Sequence, residues 1–196
     1  MHPSVQWENI RAPGPLKPEK YLRGRGFPGE PRWGQLETWA LEALCAILAR
    51  HTATPQMCYF AVWSGASCIT GGGSSIIVSP VGARPQPPPA PAPAEWQLDL
   101  SGPTFSVPYS NDYRLFEGRA GDAVRIGRWK YEFSFDPQSP HFFWPADHPW
   151  CVATGPVADS TLIGGSVELV DELCASASLE VLQIAPDAPY EDDINV

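Results

Sequence analysis

Residues 131–196 contain no lysine and no arginine. Their 12 acids are accompanied only by His141 and His148, whereas the first 130 residues carry 10 acids and all 13 bases. A formal charge of +3 on the front two-thirds therefore stands against −12 on the last third. A field of one sign biases the choice of partner. The net charge of −9 opposes the phosphate attraction on which non-specific nucleic-acid binding relies. No apolar run approaches the roughly 18 residues of a membrane-spanning helix, so no membrane association is expected. The start, Met1 to Trp7, lacks the basic-then-apolar order of a signal peptide, and a cytoplasmic protein is expected. No two of the five cysteines (Cys45, Cys58, Cys68, Cys151 and Cys174) have CxxC spacing. They read as reduced, buried thiols rather than a disulfide framework. Gly71 to Ser75 is rich in glycine but has neither a Walker lysine nor GxGxxG spacing, and reads as a turn. No cofactor and no metal site are expected.

Against these absences stands ample core material: 43% apolar residues, with eight tryptophans and eight phenylalanines in 196 residues. That suits one domain. Residues 1–30 hold five prolines and four glycines and read as an irregular basic arm. Between 11 and 32 the arm has Arg11, Lys17, Lys20, Arg23, Arg25 and Arg32 against Glu19 and Glu30. The best helix runs from Gln35 to His51, with Leu36, Ala40, Ala43, Leu44, Ile47 and Leu48 on one stripe widened by Trp39 and Leu41. Cys58 to Trp63 is apolar on both faces, as in a central strand covered on two sides. Ile76 to Val78 is a short strand, and residues 80–94 form a proline-rich loop of polyproline-II character.

Trp96 to Leu100 alternates as a half-buried strand, and Thr104 to Val107 and Tyr113 to Glu117 flank a hairpin loop. Gly121 to Ile126 suggests a short helix. Trp129, Tyr131, Phe133 and Phe135 alternate with polar residues, the cleanest two-residue period in the chain. Trp150 to Thr154 and Leu179 to Ile184 read as further strands. Ser166 reads as the N-cap of a helix from Val167 to Cys174. The acidic tail covers 186–196. Helices do not alternate with strands, so the fold class is α+β: a largely antiparallel sheet with two main helices packed on it, in one domain over 31–185.

The densest chemistry lies in His141 to Cys151. Two histidines and Asp147 invite a zinc or iron reading, but His141 and His148 are separated by Pro145 and do not share a helix face. The aromatic run Phe142-Phe143-Trp144 reads instead as a loop clamping a sheet edge. His148 and Cys151 could serve as base and nucleophile, with Asp159 orienting the imidazole. Against this, Cys151 lies between Trp150 and Val152 in an expected strand, where an inert core thiol fits. The loop from Asp159 to Gly165 leads into a helix N-terminus that could hold an anion. Its own side chains can also satisfy backbone donors.

Phe143 to Asp147, Trp150 to Thr154, Asp159-Ser160-Thr161 and Gly164-Gly165-Ser166 together resemble the C-terminal signature of a group of small hypothetical proteins from GC-rich bacteria. The helix from Leu36 to His51 followed by Cys58 to Trp63 is similar as well. That group has no established activity, so the resemblance implies no catalytic residue. Its members carry an acidic residue before Asp-Ser-Thr, where this chain reads Gly155 to Ala158.

Three functions follow. The first is a non-enzymatic binding protein whose acidic surface engages a cationic protein, as an immunity or inhibitor protein does. Trp144 and Trp150 would be its anchors, and Asp147, Asp171 and Glu172 its charged rim. The second is a hydrolase using His148, Cys151 and Asp159. The third is an accessory component of a larger assembly, gripped through the arm and the proline-rich loop.

Overall fold

A computed structural model describes residues 33–71, 97–107, 111–131, 134–158 and 160–185. The arm, the strand expected at Ile76 to Val78, the proline-rich loop, Asp159 and the acidic tail lie outside the described residues.

Helix α1 spans Thr38–Leu48 and buries Ala40, Leu41, Leu44, Cys45, Ile47 and Leu48. The expected stripe is present, with one correction. Trp39 does not widen it but is 60% exposed. Glu42, one helical turn further on, is exposed as well, so this row is the wet side. The carbonyls at the end of α1 find side-chain donors: Trp150 Nε1 donates to Leu48 O and Arg50 Nη1 to Ala46 O.

Strand β1 (Cys58–Trp63) lies inside a six-stranded sheet. The other strands are β2 (Thr104–Ser106), β3 (Asp112–Gly118), β6 (Phe142–Pro145), β7 (Cys151–Ala153) and β8 (Leu162–Gly164). Their order is β2-β3-β1-β6-β7-β8, and every pairing is antiparallel. Both edge strands are three residues long, which limits the open backbone offered to another chain. A four-residue helix, α2 (Ser67–Thr70), follows β1, and a 3₁₀ helix covers Ala120–Arg125. Helix α3 (Val167–Ala175) starts at Ser166, whose hydroxyl accepts from Leu169 N–H. The α+β class with a largely antiparallel sheet and two main helices is therefore what the chain adopts.

Several segments depart from expectation. Phe142–Pro145 is not an edge loop but a strand between β1 and β7. Its proline occupies the last position, where the lost N–H matters least. The long alternation from Trp129 folds back on itself: β4 (Gly127–Tyr131) pairs with β5 (Ser134–Pro137) as a separate two-stranded sheet, with Trp129 opposite Phe135. Gln97 to Leu100 is not a strand, because Asp99 Oδ1 accepts from Ser101 N–H and curls the chain locally. Leu179 to Ile184 pairs with no strand among the described residues, although Leu179 and Val181 pack on the core.

The two faces of the sheet differ. Phe60, Val62, Phe143 and Val152 point towards Leu41, Leu44 and Leu48 of α1 and Leu169 and Leu173 of α3, forming the core. The register puts Tyr59, Phe105, Tyr113, Phe142 and Trp144 on the opposite face. These rings tile one another, with centroids 6.1 Å apart for Tyr59 and Trp144, 5.5 Å for Phe105 and Tyr113, and 5.1 Å for Tyr113 and Phe142.

Candidate functional site

His148, Cys151 and Trp144 meet at the rim of the sheet. They line a shallow depression of about 740 Å³ with Pro149, Trp150, Gly164 and Gly165. The turn from β6 to β7 builds it. His148 adopts a left-handed backbone, φ 56°, and its N–H donates to Pro145 O at 3.1 Å. Gly165 sets the floor, since a Cβ there would stand 2.5 Å from Leu169 Cδ2 and 3.3 Å from Trp150 Cβ.

Cys151 is not the core thiol expected of it. Its residue is exposed, because β7 turns Val152 inward and Cys151 outward. Partial burial still pushes its thiol up, away from the thiolate a nucleophile requires. The Cys151 thiol points to Val152 O at 3.8 Å, and no hydrogen bond joins it to His148. Asp159 lies outside the described residues, so the three hydrolase candidates are not seen together. All five cysteines are free. Cys45, Cys58 and Cys68 are buried as expected, and burial raises their thiols to about 12, 11 and 11. Cys174 is exposed on α3.

His141 is a structural residue. Only 2% exposed, it accepts a hydrogen bond from Trp63 N–H through Nδ1 at 3.1 Å. Burial lowers its ionisation to about 4, so it stays neutral at neutral pH. It shares no site with His148, and no group of three or more His, Cys, Asp or Glu is placed to hold a metal among the described residues.

The five residues expected to bind a partner fall into four sets. Trp150 belongs to the core: 2% exposed, it packs edge-on against Phe143 and spends its N–H on Leu48. It is therefore no surface anchor. Trp144 is half-buried in the aromatic tiling, with Phe105 edge-on at 6.3 Å. Asp147 and Glu172 work inside the molecule. Asp147 Oδ1 accepts from the hydroxyls of Thr52 (2.5 Å) and Thr54 (2.8 Å), and its Oδ2 accepts from Ala53 N–H (2.8 Å). These bonds, that from Thr52 first, hold its carboxyl below the usual range and clamp the turn after α1. Glu172 accepts from Arg50 through Nη2 and Nε, and its Oε2 lies 2.6 Å from His51 Nε2. Arg50 first, then His51, keeps its carboxyl low, and the contact clasps α3 to the end of α1. Asp171 is exposed on α3.

Around Asp171 the structure shows a feature the sequence reading passed over. Val167, in the first turn of the same helix, is 69% exposed, and Leu182 and Ile184 beyond it are 39% and 40% exposed. Glu168 and Glu180 are exposed as well. The carboxyl of Glu168 is lowered first by its own backbone N–H, then by the Ser166 hydroxyl, and also by the charge of His51. An apolar residue in the first turn of an otherwise acidic helix face was the available signal. Elsewhere on the surface, Trp33 is 51% and Val157 42% exposed.

No family model, curated protein or solved structure matches this chain. No helix among the described residues is long and apolar enough to cross a membrane.

Proposed function

We propose that this is a non-enzymatic binding protein whose acidic C-terminal third engages a cationic protein, in the manner of an immunity or inhibitor protein. The observation that carries the reading is the outer side of α3 and the segment after it. Val167, Glu168 and Asp171 are exposed on α3, and Glu180, Leu182 and Ile184 are exposed in the segment that follows it, in a stretch with no lysine or arginine. Apolar contact supplies affinity, and charge of one sign speeds encounter with a basic partner and rejects acidic ones. The working acids are thus Glu168, Asp171 and Glu180 rather than Asp147 and Glu172, whose carboxylates are spent on the fold. Five free thiols fit a cytoplasmic setting.

The test is retention of a basic protein from cytoplasmic extract at low salt, with release at about 0.5 M salt, where the Debye length is roughly 4 Å. A partner held by the wild type and lost by Asp171→Asn with Glu168→Gln supports the reading. Retention that neither salt nor those substitutions alter would sink it.

A second reading has one observation in its favour: His148 and Cys151 line the same depression beside the Trp144 indole. A hydrolase built there needs Cys151 as a thiolate, which partial burial opposes. Measured rates of thiol ester or peptide ester hydrolysis, equal for wild type and Cys151→Ser, would dispose of it.

A further inference from the structure

We propose that His141 is an acid-sensitive latch in the middle of the six-stranded sheet, holding the end of the β1–β6 seam closed while its imidazole is neutral and releasing it on protonation. That seam joins the two halves of the sheet, β2-β3-β1 on one side and β6-β7-β8 on the other. It runs from Cys58 opposite Pro145 to Ala61 opposite Phe142. His141 stands at its end, just before β6, and makes three hydrogen bonds there. Its N–H donates to Ala61 O at 2.8 Å, and its carbonyl accepts from Thr154 N–H at 2.7 Å. Its Nδ1 accepts from Trp63 N–H at 3.1 Å. One residue thus ties the end of β1 to the start of β6 and to the chain leaving β7.

Only the third of these bonds depends on pH. The neutral ring accepts at Nδ1 because its proton is on Nε2. A second proton must go to Nδ1, where it meets the Trp63 N–H as donor against donor, and a backbone N–H cannot become an acceptor. The ring is 2% exposed, so water does not solvate the new charge. From β3 the ring meets Tyr113, with centroids 6.1 Å apart. The charged residues on either side of Tyr113 are committed elsewhere. Asp112 accepts from the Ser106 hydroxyl, and Arg114 donates to Leu100 O and Gly102 O. Burial therefore sets the ionisation of the closed form, at about 4, whereas a ring released into water takes its proton near the ordinary value of 6.5. The sign follows. The latch has its full strength above pH 6.5, weakens as pH falls towards 4, and weakens no further once the closed form is protonated too. Asp147 acts below this range, so the two groups separate by pH. Release bares the Tyr113 ring, which is 1% exposed and packs edge-on against Phe142 at 5.1 Å. The acid form then presents an aromatic surface that the neutral form hides.

The experiment is hydrogen exchange at the Trp63 amide of the full chain, followed by NMR across this pH range with the intrinsic exchange rate divided out. Protection should fall about 30-fold between roughly pH 7.5 and pH 5, the ratio that ionisation at 6.5 when open and about 4 when closed requires. In His141→Asn the amide oxygen stands where Nδ1 does and takes no proton, so the profile should be nearly flat. Because that variant can fail to fold, the wild-type ring is titrated as well. Its Cε1–H signal should remain that of the neutral imidazole down to about pH 5. Trp63 protection that does not change over the range, or a ring that charges near 6.5 in the folded protein, would overturn the proposal. So would a His141→Asn profile as steep as that of the wild type, which would assign the opening to another group.

Discussion

The two sides of α3 carry carboxylates one residue apart with opposite employment. On the inner side Glu172 lies against Arg50 and His51 and helps fasten the helix to α1. On the outer side Asp171 faces solvent beside exposed Val167. Asp147 repeats the inner pattern at the turn after α1, where it takes three donors from residues 52–54. The lesson is that a count of acids overstates the charge available to a partner. Part of the negative excess in the last third is consumed in holding the fold, and among the described residues Glu168, Asp171 and Glu180 are left exposed on and just after one helix.

The sharpest way to break this comparison is to unseat α3 altogether. Leu169→Ala removes a fully buried side chain from the core, and a loss of about 2–5 kcal/mol in urea unfolding is expected. A loss under about 1 kcal/mol would mean that α3 is not anchored by its inner side. Next in size is the Asp147 clamp. The folded-state carboxyl of Asp147 is lowered, so its stabilisation is present above the unfolded carboxylate value, about 3.9, and is lost as pH falls through the folded value. Thermal midpoints should therefore drop as pH falls below about 4 in the wild type, with a shallower drop and a lower starting point in Asp147→Asn. Identical pH profiles for the two proteins would contradict the clamp.

Glu172→Gln tests the clasp and should have a smaller effect, since its partners are partly solvent-exposed. Hydrogen exchange in α3 should quicken in this variant while exchange in β1 stays unchanged. Uniform quickening would show that the clasp is not local. The smallest expected effect on stability is that of Asp171→Asn, within about 0.5 kcal/mol, as for an exposed surface site. Yet it should lower retention of a basic partner more than Glu172→Gln does. If the order of those two retentions is reversed, the division of labour between the two sides of α3 is wrong.

Some of this architecture was legible in the chain. The α1 stripe, the central strand β1, the β2–β3 hairpin and the Ser166 cap each announce themselves through local rules of period, turn or side-chain donor geometry. The candidate site was legible only in part. His148 and Cys151 do share a depression, but the exposure of Cys151 depends on which parity of β7 faces the core, and a three-residue strand shows too little alternation to tell. Trp150 and Trp144 look alike as exposed-aromatic candidates. What separates them is that Leu48 O, about a hundred residues away in the chain, offers Trp150 an acceptor inside the core.

The sequence by itself determined the uneven distribution of charge, the α+β class and the elements whose hydrophobic period is long enough to read. Composition and local periodicity suffice for those. Only the tertiary structure decided that Phe142–Pro145 is an interior strand, that the alternation after Trp129 doubles back on itself, and which acids are spent and which are free. Strand partners and ion-pair partners lie far apart in the chain. Their choice follows from how the elements pack, and no local pattern in the sequence records it.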